Sequence, residues 1–321
     1  MPAISDKTKR ETTDYPKEGA KGNLDELSFL KGTCDLHIHT GPDTWFGKAA
    51  MPQTRVRLVD DIDAAVQAKE AGMRAIVIKC HDSCTADRAY IARKVVPGIE
   101  VFGGLTLTHP VGGLNPAAVH QSVKFGSNLM KVVWMPTMDA ANDTRPSSMA
   151  RKKELGKEGI AIARNGSLLP EMISILGEVA DNDLILATCH TSVEEKRLLL
   201  KEARKQGIEK ILITHPEAEF TSICGNFELE KEFVDMGGYL ELCIIACLPP
   251  TPTVPIAHFV ETIHRMGAEH CILSTDLGQV YNPSPVQGMR MFIVNLLQLG
   301  ISEKEIELMA RKNPAKLLDL G

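Results

Sequence analysis

Two histidines stand one residue apart, His37 and His39 in CDLHIHTGPD, within a strand-like stretch near the start of the chain. Alternate residues of a strand share a face, so both imidazoles point the same way at neighbouring depths. Two imidazoles so placed can hold one metal ion together. Residues of related chemistry recur at the ends of apolar runs: Lys79 and His81 in AIVIKCH, His109 after VFGGLTLT, Lys131 in LMKVVWM, His190 in LILATCH, His215 in KILITH and Asp276 in CILSTD. A buried ammonium is costly, so Lys131 must find a partner or give up its proton. As a neutral amine near metal it can add CO₂, and the two carbamate oxygens can bridge two cations. The alternative is an ion pair with an inward carboxylate such as Glu241. Trp134, out of phase with Lys131, is then expected to face outward against a helix.

The elements that must position these residues are short strands. Strand candidates lie at 33–39, 75–81, 101–107, 129–135, 184–190, 210–215, 239–245 and 271–276, with amphipathic helix candidates such as 58–72, 192–207 and 256–267 between them. Several helix candidates end in Gly, a common C-cap. Repeated strand–helix units predict a parallel sheet, and eight of them predict a closed (β/α)₈ TIM barrel. An open doubly wound sheet is the alternative, but no Gly-rich phosphate loop follows a strand. A barrel's site lies where its βα loops converge, at the strands' carboxyl ends. Of the 10 histidines, His37, His39, His81, His109, His190 and His215 fall there, while His120, His258, His264 and His270 fall on or near helices. Residues 1–32 read as a polar N-terminal arm and 33–321 as the barrel. The long connection 136–183 between the fourth and fifth strands is an insertion with a hairpin turn at Asn165-Gly166, either a lid or a decorative surface feature.

Composition narrows the function classes. The 321 residues are 44% hydrophobic and 24% charged, ordinary for a globular chain, and the net charge of −5 favours neither nucleic acid nor an anionic membrane as partner. The N-terminal stretch lacks the apolar core of a signal peptide, and no apolar run approaches the ~20 residues of a membrane span. The 8 cysteines form no C-x-x-C pair and read as reduced thiols, so a cytoplasmic protein is expected. No G-x-S-x-G motif supports a serine nucleophile. Cys189 lies on the opposite strand face from His190, which argues against a thiol one.

Taken in order, H-x-H on the first strand, Lys on the fourth, His on the fifth and sixth and Asp on the eighth resemble the amidohydrolase superfamily, most closely its phosphotriesterase-like branch with a carboxylated lysine bridging a binuclear centre. The closing NPAKLLDLG is similar to the terminal helix of such proteins. The resemblance implies that His37, His39 and Asp276 bind the more buried metal, His190 and His215 the more exposed one, and that Lys131, carboxylated on Nζ, bridges them. Two divalent cations are implied, zinc first, with Mn, Fe, Co or Ni as alternatives. It implies a metal-dependent hydrolase that attacks a small amide, lactone or other ester with a metal-bound hydroxide, Asp276 acting as catalytic proton shuttle. Lys79, His81, His109 and Arg145 are the candidate substrate contacts; Arg145 is either an ordinary solvated loop residue, the favoured reading, or a clamp for carboxylate or phosphate, and His81 and His109 either meet substrate or make structural hydrogen bonds. A PHP-like phosphoesterase, a decarboxylase or lyase on the same site, and a catalytically idle metal-binding barrel are the rival readings. A small-molecule substrate is the expected partner, and the resemblance implies a homo-oligomer.

Overall fold

Every strand of the main sheet is buried along nearly its whole length, as parallel strands covered by helices on one face and a filled interior on the other must be. The computed structural model describes residues 28–43, 57–249 and 254–321. Residues 1–27 of the expected arm lie outside them. The eight strands of the sheet are β1 (Cys34–His39), β2 (Ala75–Lys79), β3 (Glu100–Thr106), β4 (Met130–Trp134), β7 (Ile185–Ala187), β8 (Ile211–Thr214), β9 (Tyr239–Cys243) and β10 (Cys271–Ser274), with neighbours paired in chain order. All these pairings are parallel. The ring closes where Asp276 N donates to His37 O at 2.8 Å and His39 N donates to Leu277 O at 2.7 Å. The fold is the expected (β/α)₈ barrel.

A buried carboxylate reinforces that closure. Asp35 accepts from His37 N at 3.1 Å, from Thr275 N at 3.1 Å and from Thr275 Oγ1 at 2.6 Å, so it ties β1 to the segment after β10. The expected helices form as α1 (Asp61–Glu70), α6 (Val193–Lys205) and α8 (Ile256–Met266). Asp60 and Asp63 make a capping box on α1, and Ser192 and Glu195 make one on α6. No helix among the described residues is long and apolar enough to cross a membrane.

The long connection after β4 folds into α4 (Pro146–Leu155), a two-stranded antiparallel hairpin of β5 (Ala163–Arg164) and β6 (Ser167–Leu168), and α5 (Pro170–Asp181). Asn165 and Gly166 turn it with φ of 53° and 75°, the positive values that a tight hairpin turn requires. Ile162 N donates to Glu195 Oε1 at 2.8 Å, fastening this excursion to the start of α6.

The amino end of the barrel holds a surprise for the sequence reading. Lys131, second residue of β4, donates to Asp319 Oδ2 at 2.8 Å, and Lys210 meets Asp319 Oδ1 at 2.5 Å. Lys131 Nζ also lies 5.7 Å from the Phe102 ring. Trp134 faces the interior instead, its ring centroid 6.2 Å from that of His37. The face assignment of β4 is therefore the reverse of the expected one. The indole fits because β3 has Gly104 beside it, where a Cβ would lie 2.4 Å from Trp134 Cζ3.

Candidate metal centre

Two side chains of β1 and one from the turn after β10 converge on one point. His37 Nε2 and His39 Nε2 lie 3.1 and 2.9 Å from the same oxygen, Asp276 Oδ1. Asp276 reaches it from the turn after β10 with φ of 53°; His215 and Cys189, at the exits of β8 and β7, take φ of 34° and 44°. Non-glycine residues pay about 1–2 kcal/mol for this left-handed backbone, a strain that clusters where side chains must be aimed. The His39 ring stacks on His81 at 5.0 Å between centroids, His37 stands 6.0 Å from His215, and His215 stands 5.2 Å from His190.

A ring of polar partners fixes these imidazoles. His190 Nδ1 is 2.8 Å from Asp143 Oδ2, so the buried carboxylate holds the ring with Nε2 turned away from it. Arg145 grips the same carboxylate through Nε and a terminal nitrogen at 3.0 and 2.5 Å, and its guanidinium lies 3.5 Å over the Phe220 ring. Lys152 donates to Asp143 O at 2.7 Å and Ala140 O at 3.0 Å, bracing the stretch that carries this carboxylate. His81 Nδ1 pairs with Thr137 Oγ1 at 2.8 Å. Nδ1 of the fully buried His215 has no hydrogen-bond partner among the described residues. Lys79 Nζ lies 3.0 Å from His37 Nε2 and 5.3 Å from the Trp134 ring centroid.

Burial opposes ionisation of Asp276, but the charge and hydrogen bonds of His37 and His39 outweigh it and hold the carboxyl well below the usual range. Burial lowers His39 to about 3, with the Arg57 charge adding to it, and lowers His190 to about 4 against the pull of Asp143. Burial likewise holds His81 and His215 well below the ordinary value, the first with His39 and the second with His190 adding to it. His37 is the exception: burial pushes down, yet the Asp276 charge raises it. A neutral imidazole beside an ionised carboxylate, as His39 stands beside Asp276, is the form that ligates a cation, and a cation on His37 must displace the proton that Asp276 favours there.

The donor set thus fits one divalent ion on His37, His39 and Asp276, whose ligand atoms all lie within 4.8 Å of one another. It does not fit the lysine-bridged pair. Lys131 belongs to the opposite end and the outer face of the barrel, bound to Asp319, so the bridge expected of it does not form. His190 and His215 stand beside the trio and belong to neither of the two convergent donor groups among the described residues. His109 does not join them either: its Nε2 bonds the Glu158 carbonyl at 2.8 Å and its backbone N bonds Asp139 Oδ2 at 2.8 Å. Arg145 lies within 3.4 Å of His190 Nδ1, and Lys79 and His81 sit against the trio. Sequence reasoning missed Asp143, Phe220, Trp134 and Asp35. Only Asp143 carried a signal, its place two residues before Arg145 in DAANDTRP.

Solved structures share this parallel eight-stranded barrel fold. The chain is similar to 2,6-dihydroxybenzoate decarboxylase from Rhizobium (11% identity, TM-score 0.59, covering 91% of this chain and 99% of that one). It is similar to an amidohydrolase from Pseudomonas aeruginosa (12%, 0.58, 91% and 97%). It is also similar to the organophosphorus hydrolase from Deinococcus radiodurans (13%, 0.55, 90% and 93%). No curated protein matches the sequence. Residues 32–241 match the model of a family of unknown function, DUF6282, and the chain belongs to that family.

Proposed function

We propose that the protein is a metal-dependent hydrolase of a small amide, lactone or other ester, with one divalent cation, zinc first, on His37, His39 and Asp276. The observation that carries this reading is the convergence of two histidine Nε2 atoms on one Asp276 oxygen at 3.1 and 2.9 Å. A cation bound there supplies Lewis acidity toward a carbonyl oxygen and lowers the pKa of water. Asp276 uses Oδ1 for both histidines and keeps Oδ2 out of these contacts, while its side chain remains 16% exposed. It is therefore placed to accept a proton at Oδ2 and return it to the leaving group. Arg145, 31% exposed and held flat on Phe220, offers a guanidinium edge to an anionic part of the substrate. Lys79 and His81 complete the substrate wall. A small molecule is the partner this reading requires.

The test is elemental analysis of the chelator-free protein and of His39→Ala, followed by a screen of lactones, amides and esters with metal-loaded and stripped enzyme. About one transition metal per wild-type chain, lost in the variant, with hydrolysis that follows the metal, supports the reading. Asp276→Asn should then cut turnover by about 10²–10⁴-fold while the circular dichroism stays unchanged. Failure to bind metal even after reconstitution would sink the proposal. Release of CO₂ from a carboxylated substrate, with no water incorporated, would move it to a decarboxylase.

A further inference from the structure

We propose that Glu241 is a positioning residue for the metal centre: from the floor of the site its carboxylate holds the Nδ1 side of His37 and so presents Nε2 to the cation. The inference rests on the metal reading above. Glu241 sits mid-strand in β9, fully buried, with Oε2 3.6 Å from His37 Nδ1. Neither of its oxygens has a hydrogen-bond partner among the described residues. An unbonded carboxylate in a barrel interior is costly, and 3.6 Å is within ion-pair reach though too long for a hydrogen bond. His37 Nε2 is the atom aimed at Asp276, so Nδ1 is the nitrogen that keeps its proton when Nε2 ligates. Metal-ligating histidines regularly donate their other N–H to a carboxylate, which fixes ring and tautomer. His190 with Asp143 repeats the device at 2.8 Å on the other side of the site.

His37 Nδ1, Glu241 and Cys243 also bring their donor atoms within 4.8 Å of one another, as a second cation site would. A neutral imidazole offers one lone pair for a metal and one N–H. An ion on each side of His37 would demand an imidazolate, so the orienting role is the cheaper one.

The full-length chain, stripped and reloaded with Zn(II) or Co(II), decides between them. Glu241→Met keeps the volume and removes the acceptor; Glu241→Gln keeps an acceptor and drops the charge. The Met variant should bind about 10–100-fold more weakly by chelator competition, with altered Co(II) visible bands, and the Gln variant should recover most of the loss. In the zinc-loaded wild type, ¹⁵N spectra should show His37 bound through Nε2 with Nδ1 protonated, a readout that survives even if the Met variant fails to fold. Unchanged affinity in a folded Met variant, or metal on Nδ1, overturns the proposal. Two ions in the wild type falling to one in the Met variant would make Glu241 a ligand instead. A wild type that binds no ion overturns the underlying metal reading as well, and shows it before any variant is made.

Discussion

An ammonium and a divalent ion cannot share one imidazole nitrogen without cost. Lys79 Nζ lies 3.0 Å from His37 Nε2, the atom that would ligate. With ~4 Å between the charges and an effective dielectric of ~20, their repulsion is roughly 8 kcal/mol. Lys79→Met, which removes the charge and keeps the bulk, should tighten Zn(II) binding by at least about tenfold in chelator competition. Equal affinity would mean that the ammonium withdraws when metal arrives. Lys131→Ala makes the contrasting prediction. Its partner Asp319 is 42% exposed, so the variant should keep its metal and lose only about 1 kcal/mol or less of stability in a denaturant melt. Metal loss in that variant would restore the bridging role that the structure denies it. At this scale the sequence was readable where chemistry is written in one residue: H-x-H must put two imidazoles on one face, and an Asp at a strand end can only face the loops. Glu241 was legible as an inward carboxylate, but its neighbour was not: it faces His37 rather than Lys131, and neither this pairing nor that of Asp143 with His190 was readable, because a carboxylate's neighbour across a barrel depends on how far each strand is staggered.

Strand phase is an element-scale property, and β4 shows why it escapes a sequence. In MKVVW the residues of both faces are buried, so hydrophobicity does not distinguish 131 and 133 from 132 and 134. What decides is a gap in the neighbouring strand. Gly103 and Gly104 of β3 leave room, the pairing register shifts between them, and the Trp134 indole takes the space inside. One residue of phase sends Lys131 out and Trp134 in. Gly104→Ala tests this directly: the added Cβ would lie 2.3 Å from Val132 O and 2.4 Å from Trp134 Cζ3, and neither has somewhere to go. A loss of about 1–3 kcal/mol is expected from chemical denaturation, with a changed Trp fluorescence spectrum. A neutral substitution would mean that the indole is not seated against β3. The strands, by contrast, were placed within about two residues at most ends, since apolar runs bounded by Gly and polar residues mark them well.

For the molecule as a whole, buried titratable groups away from the proposed metal ligands set how stability responds to pH. Glu230 on α7 (Phe227–Asp235) is fully buried, and Thr262 Oγ1 donates to its Oε2 at 3.3 Å. Burial, only partly offset by that hydrogen bond, raises its carboxyl from 4.5 to about 7. The folded chain therefore keeps a proton that the unfolded chain gives up. Its favourable contribution is complete below about pH 4.5 and is lost as pH climbs to about 7, a change on the order of 3 kcal/mol. Lys196 on α6 works in the opposite sense: burial depresses its ammonium from 10.5 to about 7, so its contribution is complete above about 10.5 and is lost as pH falls to about 7. Near neutrality both groups stand at their least favourable, and each side of neutrality relieves one of them. Glu230→Gln keeps the shape and removes the titration. Relative to wild type it should gain stability progressively between pH 4.5 and 7 in urea melts and hold that gain above 7. A difference curve that is flat across that window would mean Glu230 ionises in the folded protein as it does in water, with solvent reaching the space between α7 and α8.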